Sequence, residues 1–591
     1  MKKHYETHVE DTDKLISVAG PELDYKSWYE QYRKLMEEQA QRKYGLYTPT
    51  SEGDDDDFPS IPGMIARYSA LGLTNEQMKQ NPVWVDKTGN GHDLQMKNFL
   101  WGEMSGVGGY KLNWGDSNIW RNYITQGTFG TGEVTDNTIH ITSAKTNNAL
   151  FETRASLKSV EYKVLIKGLT DDIYLRYGVF NDGKELWTEI KNDGIYTLPS
   201  YDYDSRYNMK WKVMSQTYPI DCNITIEQLP LYPGFILGDG VDDEAATENL
   251  DLEDTYTVYT PLILLKYGGV VSGKSSAKDF SLNTVVSSKS IGFDSANAWS
   301  GSIPVDLFEF ALVVCKRDPK TMYVKDLITG KTNQSNSKEF VPNPRKYFIW
   351  RNAGGSWCQV AIAGQIICNG YFSTDEDDEK VLDWYKKQYP WLFFDQARTV
   401  TGKTNEDEDR ATIANITGNG NKLVLSNFGF IEGSGYNKEG EYAGYLVTDG
   451  VDDMIGSSIF EIGKDFTIIG EWKFMDNIIA NAGISKALSL FVYNTNNGLR
   501  IFINNTTKGP VLNTKTLKAI CSDGRVYSDD WSEMIVNEEQ PITSSKSSLL
   551  IGINGNNFAK IALKNLAIYN QILSKDDCIK AYNYLQTLKA K

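Results

Sequence analysis

The sequence predicts an all-β protein: two related antiparallel β-units, the first carrying an inserted β-sandwich, behind one N-terminal helix. Three observations lead there. The chain holds 34 Tyr, 23 Phe, 14 Trp and 50 Gly against 17 Pro, a mixture that many short strands joined by glycine turns produce. It writes nearly the same string twice, "TGNGHDLQMKNF" from Thr88 and "TGNGNKLVLSNF" from Thr417, the mark of a duplicated unit. And segments such as "SVEYKVLIKG" and "CNITIEQ" alternate apolar with polar residues, as a strand with one wet face must.

The elements follow in chain order. In residues 1–46, Trp28, Tyr32 and Leu35 fall near helical spacing and predict one amphipathic helix. The acidic, Pro- and Gly-bearing run over 47–62 reads as a solvated linker. An aromatic helix before such a linker suits an anchoring arm; packing on the next domain is the alternative.

The repeat then sets the organisation. The two copies of the first string are offset by 329 residues (417 − 88), but "PGFILGDGVDD" from Pro233 and "AGYLVTDGVDD" from Ala443 by only 210 (449 − 239). The offset shrinks by 119 (329 − 210), so the first copy holds a domain-sized insertion at a loop tip. We place it at 111–230, the first unit at 63–110 and 231–393, and the second at 394–591, each unit roughly 200 residues of antiparallel β-structure. Both units close on a short helix. Ser373 with Glu376, and Ser574 with Asp577, predict capping boxes, and Val381, Trp384, Tyr385 and Ile579, Tyr582, Leu585 predict one apolar face on each helix.

Charge and motifs narrow the function. A net charge of −16 argues against binding nucleic acid or an anionic membrane surface, and the apolar runs are too short for membrane insertion. "MKKHYETHVEDTDKL" has no apolar core for a signal peptide, so assembly in a cytoplasm is expected. Six cysteines without a CxxC pair predict neither a disulfide framework nor zinc. Gly268, Gly273, Lys274 and Ser275 have phosphate-loop spacing, but no helix pattern follows, and a turn between strands is expected. "DGVDD" supplies Asp239, Asp242, Asp243 and again Asp449, Asp452, Asp453. Such clusters could hold a structural Ca²⁺, the one cofactor the sequence offers; their recurrence in the framework favours a tight turn instead. No carboxylate pair suits glycoside hydrolysis and no nucleophile elbow exists, so no enzyme is expected. The insertion concentrates aromatics: Trp114, Trp120, Tyr123, Trp187, Tyr201, Tyr203, Tyr207 and Trp211. Flat rings beside polar groups would make a glycan site; core packing is the alternative for each ring.

The string "FILGDGVDD" and the closing "LKNLAIYNQILSKDDCIKAYN" resemble laminin G-like, concanavalin A-type jelly rolls. Leu446 to Ile455 and Ile561 to Ile579 follow that family's opening strand and closing segment, while the first copy departs with "EAATENL" after Asp243. More closely, "GKTNEDEDRATIANITGNGNKLVLSNFGF" is similar to a segment of virion-associated proteins of gut bacteriophages, crAss-like phages included, and of related prophages. There it precedes "LVTDGVDD", often after an inserted β-domain ending like "NITIEQLPLYPG". This resemblance covers most of residues 64–591. It implies a virion structural protein, a fibre or surface decoration, whose partners are other virion proteins, host surface glycans and further copies of itself. The N-terminal helix would attach it to the particle. The alternatives are a phage polysaccharide depolymerase (glycosidase or lyase), a purely architectural virion protein without glycan binding, and a bacterial surface lectin.

Overall fold

A computed structural model describes residues 58–590, save short stretches of which 155–160, 200–208, 476–482, 504–510 and 536–544 are the longest. The helix bearing Trp28, Tyr32 and Leu35, and the acidic run as far as Asp57, lie outside the described residues. What is described is mostly β: several antiparallel sheets in sandwich-like pairs, with three α-helices, which we name α1 (Asn75–Gln80), α2 (Asp375–Gln388) and α3 (Lys575–Leu585).

The two repeats fold alike. In the first, an eight-stranded sheet runs in the order Val83–Trp84, Leu94–Lys97, Glu244–Thr247, Tyr347–Ile349, Gly269–Gly273, Ser281–Val285, Ser290–Ser295, Ala298–Pro304. In the second, the order is Thr412–Ile413, Leu423–Ser426, Met454–Ser457, Leu549–Ile551, Gly483–Lys486, Leu490–Thr495, Gly498–Ile503, Val511–Leu512. In both, the fourth strand across is the last of the eight in the chain. The facing sheets correspond as well, with Tyr256–Leu264 and Thr467–Phe474 at the centre. Tyr256–Leu264 is buried throughout, so its near-continuous apolar run is what a strand covered on both faces requires. One difference has a local cause. Pro261 brings no N–H to the ladder, and its neighbour is broken at Ala363 into Gln359–Ile362 and Gly364–Asn369. The second copy keeps a single strand there, Ile561–Tyr569.

Two five-stranded sheets lie wholly between Trp120 and Gln228. Tyr162, Val164, Ile166, Tyr177, Trp211, Ile224 and Ile226 meet in one core between them, the alternation read from the sequence. The stems of this segment are zipped together. Tyr232 N–H donates to Gly108 O at 2.8 Å and Leu231 N–H to Gly109 O at 2.9 Å, while Gln228 Oε1 accepts from the amides of Lys111 and Leu112. At the corresponding place the second copy makes only a short turn, closed by Gly444 N–H on Asn437 O at 2.8 Å.

A second core joins the repeats. The outer faces of the two sheets centred on Tyr256–Leu264 and Thr467–Phe474, through Tyr259, Leu312 and Val314 on one and Ile469, Ala519 and Ala567 on the other, share it with α2 and α3. Trp384 and Tyr385 of α2 and Tyr582 and Leu585 of α3 are buried there. The contacts cross over: Tyr584 Oη accepts from Phe310 N–H of the first repeat at 2.7 Å, and Tyr569 Oη donates to Trp391 O at 2.9 Å. The first turn of α2 is pinned by a buried ion pair, Lys316 Nζ to Asp378 at 2.8 Å, with Tyr259 and Ser373 hydroxyls on the same carboxylate. That corrects the expected cap: Ser373 is occupied by Asp378, so the box shifts one residue, to Thr374 with Asp377. Ser574 does cap α3, accepting from Asp577 N–H at 3.1 Å.

Candidate functional site

One sheet of the inserted sandwich turns a face outward. Its order is Lys184–Ile190, Tyr174–Asn181, Met209–Met214, Phe151–Thr153, Trp120–Asn122. Period-two alternation sends Tyr177, Trp211, Phe151 and Trp120 into the core. The residues between them point away, and register aligns five of them straight across the sheet: Trp187 opposite Gly178, Gly178 opposite Lys210, Lys210 opposite Glu152, Glu152 opposite Arg121. The Trp187 ring lies over Gly178, where an added Cβ would sit 2.7 Å from it. Arg176 and Lys212 flank that ring, at 5.3 and 4.8 Å from its centroid, within cation–π range. At the other end, Tyr123 Oη donates to Glu152 Oε1 at 3.2 Å and Arg121 Nη1 donates to Tyr123 Oη at 3.2 Å. Lys210 Nζ reaches Glu185 at 2.6 Å. Burial would raise the Glu185 pKa, but Lys210, by hydrogen bond and charge, and then Lys212 bring it below the usual carboxylate value. The face therefore offers an indole held flat and the charged groups of Lys210 and Arg121, with Glu152, 7% exposed, buried between them in the row.

This placement sorts the aromatic candidates. Trp187 and Tyr123 belong to the face. Trp120, Trp211 and Trp114 do not: they are 2%, 1% and 1% exposed, core rings with no surface for a ligand, and Trp120 stacks on Phe151 at 4.9 Å. Tyr201, Tyr203 and Tyr207 lie outside the described residues. The phosphate-loop string is corrected too. Gly269–Gly273 is itself a strand rather than a turn, and Lys274 is buried against Asp251 at 2.7 Å.

The aspartate clusters act as fasteners, twice over. Asp239 Oδ1 accepts from the amides of Val241 and Asp242, and Asp243 Oδ2 from Asp239 N–H at 2.8 Å. Asp449 and Asp453 repeat this, the last distance being 2.7 Å. Ser105 Oγ donates to Asp243 at 3.1 Å. Asn98 and Asn427, both left-handed at φ 68°, donate to Asp242 O and Asp452 O at 2.9 and 3.0 Å. In each cluster one oxygen per carboxylate lies within 4.8 Å of the others, close enough for a cation; Asp243 turns both oxygens to protein donors, whereas Asp453 does so with Oδ2 and its buried Oδ1 has no hydrogen-bond partner. The amides that Asp239 and Asp449 accept make each string a hydrogen-bonded turn. Burial pushes the Asp243 carboxyl up to about 7, against the pull of the Asp239 amide and Ser105 hydroxyl.

Known proteins add little. No protein-family model matches the sequence, and no curated protein matches it. Among solved structures, a Trypanosoma rangeli sialidase in complex with 2,3-difluorosialic acid aligns over 77% of this chain and 83% of its own, at 9% identity and a TM-score of 0.24. Domain 4 of AbnA, a GH43 extracellular arabinanase from Geobacillus stearothermophilus, in complex with arabinotriose, aligns over 25% and 81%, at 10% identity and a TM-score of 0.19. A W1238A mutant of HCR/D aligns over 56% and 89%, at 9% identity and a TM-score of 0.25. The likeness is distant and goes no further than β-rich folds.

Several residues of these sites carried no obvious mark in the sequence. Arg121, Glu152, Lys210 and Lys212 look like ordinary strand charges until register aligns them. Asn75 and Asn405 each clasp a repeat, accepting from Val107 N–H and Tyr436 N–H at 2.7 Å and donating to the same residues' carbonyls. A signal for them existed: "TNEQ" at Thr74 and "TNED" at Thr404 extend the repeat upstream.

Proposed function

We propose that this protein is a non-enzymatic structural part of a bacteriophage virion, that its two repeats are concanavalin A-like jelly rolls, and that the inserted sandwich presents a lectin-like face to host glycans. The similarity of the repeat strings to virion-associated proteins supports the setting. The observation that carries the glycan reading is Trp187 lying flat on Gly178 at one end of a row that continues through Lys210, Glu152 and Arg121. An indole takes the apolar face of a sugar ring, and the neighbouring fixed donors and acceptors orient its hydroxyls. Mass spectrometry of purified particles should find the chain at a fixed ratio to the major capsid protein. Absence from particles sinks the virion reading. Binding of the full chain to host-cell polysaccharide should fall at least about tenfold in W187A; unchanged binding sinks the glycan reading.

One observation favours the purely architectural alternative. Leu100 and Val241 on the first repeat, and Ile431 and Val451 on the second, are 64%, 67%, 64% and 70% exposed on loops tied together by the same fasteners. Such paired apolar tips suit protein contacts. The two readings separate experimentally: V241S/V451S should lose incorporation into particles but keep polysaccharide binding if both sites work as described. The depolymerase alternative gains no support from the described residues.

A further inference from the structure

The outward face of the inserted sandwich carries a second row beside the one that begins at Trp187. Glu189 stands opposite Arg176, and Arg176 opposite Lys212. Each lies two residues along its strand from a member of the first row, and so on the same side of the sheet. The carboxylates of this face are all engaged. Glu152 Oε1 faces Arg121 Nη1 at 3.5 Å, Glu185 Oε1 accepts from Lys210 Nζ at 2.6 Å, and Glu189 Oε1 lies 3.6 Å from Arg176 Nε. Lys191, just past the end of its strand, adds a further cation to Glu189 at 3.1 Å. Of the four cations in the two rows, Lys212 is the one left without an ion pair among the described residues, and its Nζ stands 4.8 Å from the Trp187 ring centroid. The Arg176 guanidinium stands 5.3 Å from the same centroid, and its Nε has no hydrogen-bond partner. In a chain of net charge −16, surplus positive charge is thus gathered at the rim of one indole.

We propose that this face takes an acidic glycan, through a uronic acid residue whose ring lies on the Trp187 indole and whose carboxylate meets Lys212 Nζ and the Arg176 guanidinium. The proposal rests on the glycan reading of the same face and adds the class of sugar. A pyranose stacked through its apolar C–H face carries its C5 substituent at the perimeter of the ring. The perimeter of Trp187 is where both cations stand. In a neutral hexose that substituent is a hydroxymethyl group. In a uronic acid it is a carboxylate, to which both cations donate charge-assisted hydrogen bonds. A neutral sugar in the same place would take water from Lys212 and give its charge nothing in return. Because Lys212 is half-buried rather than sealed in, the preference for the acid should be about fivefold at low salt, and added salt should narrow it.

The full chain should be titrated with polygalacturonate, hyaluronate and alginate, and with the carboxyl-reduced form of each, in which every uronate has become a neutral hexose on the same backbone. At least one uronate polymer should bind about fivefold more tightly than its reduced form, and dextran sulfate should bind no better than the reduced polymers. K212Q should bind the two forms alike, while K212R, which keeps the charge, should keep the preference. The proposal is overturned if the wild type binds a polymer and its reduced form alike, if K212Q retains the preference, if dextran sulfate matches the uronate polymers, or if none of the three uronate polymers is bound. The glycan reading falls by a different result, unchanged binding of W187A to host-cell polysaccharide. Reduced polymers that bind the wild type as well as their parents, but not W187A, would leave that reading standing and remove only the uronate.

Discussion

Asp243 is a buried acid and Glu471 a half-buried one, and their surroundings drive them in opposite directions. Asp243 has a folded pKa of about 7 against an ordinary 3.8. The folded state keeps a proton that the unfolded chain gives up, so stability should fall as pH rises from about 4 to about 7 and then level off. D243N should flatten that slope, read as melting temperature against pH. For Glu471, burial would raise the pKa, but Lys564, Lys518 and the Tyr445 hydroxyl hold it at about 2, below 4.5. Its contribution is present above the unfolded pKa and lost as pH falls from about 4.5 to about 2; E471Q should lower the melting temperature at neutral pH and lose less in acid. Residue roles were partly legible. Trp211 shares its parity with Met209 and Val213 in "MKWKV" and so belongs inside, whereas Trp187 shares its parity with Glu185 and Glu189 and so belongs outside. Trp120 sits in "SNIWRNY", which alternates too weakly for either assignment.

Elements were easier to place than their ends. The strands Tyr256–Leu264, Phe310–Arg317 and Thr467–Phe474 fall where apolar, β-branched runs put them. The start of α2 was misplaced by one residue, because serine and threonine are adjacent there and only tertiary packing decides which hydroxyl meets Asp378. That packing is testable: D378A leaves Lys316 buried without its carboxylate and should cost about 3–5 kcal/mol in denaturant unfolding. The clasp in each repeat makes a paired prediction. Gly106 and Gly435 have φ of 136° and 152°, and a Cβ would lie 2.6 and 2.5 Å from Asn75 Oδ1 and Asn405 Oδ1. G106A and G435A should each destabilise by about 1–3 kcal/mol, and unequal losses would measure how far the repeats have diverged in rigidity.

For the molecule as a whole, the sequence announced two units and a helix closing each, but not that both helices enter one core. An apolar face such as Val381, Trp384 and Tyr385 says that a helix is covered, not by which sheet, since that partner is distant in the chain. The shared core makes α2 and α3 a joint between the repeats. Calorimetry should therefore show the repeats melting together, and W384A should lower the common transition by an amount equivalent to about 3–5 kcal/mol rather than split it. Two separate peaks in the wild type would contradict a shared core.

The zipped stems carry a consequence for ancestry and for engineering. Gly234 and Gly444 share φ 79°, and Gly108 and Asn437 donate to the carbonyls of Phe235 and Tyr445 at 2.8 and 2.9 Å. The host ladder is thus complete on the repeat's side of the graft, whether the chain then makes a hairpin bend or a whole module. Such a socket permits cassette exchange: a lineage can trade what it displays without redesigning the scaffold, and a laboratory can do the same between residues 109 and 233. Beyond the stems, a new cassette would forfeit the Lys79–Asp136 ion pair, Ile195 in the core that joins the repeats, and Lys163, which reaches Asn583 of α3 at 3.1 Å.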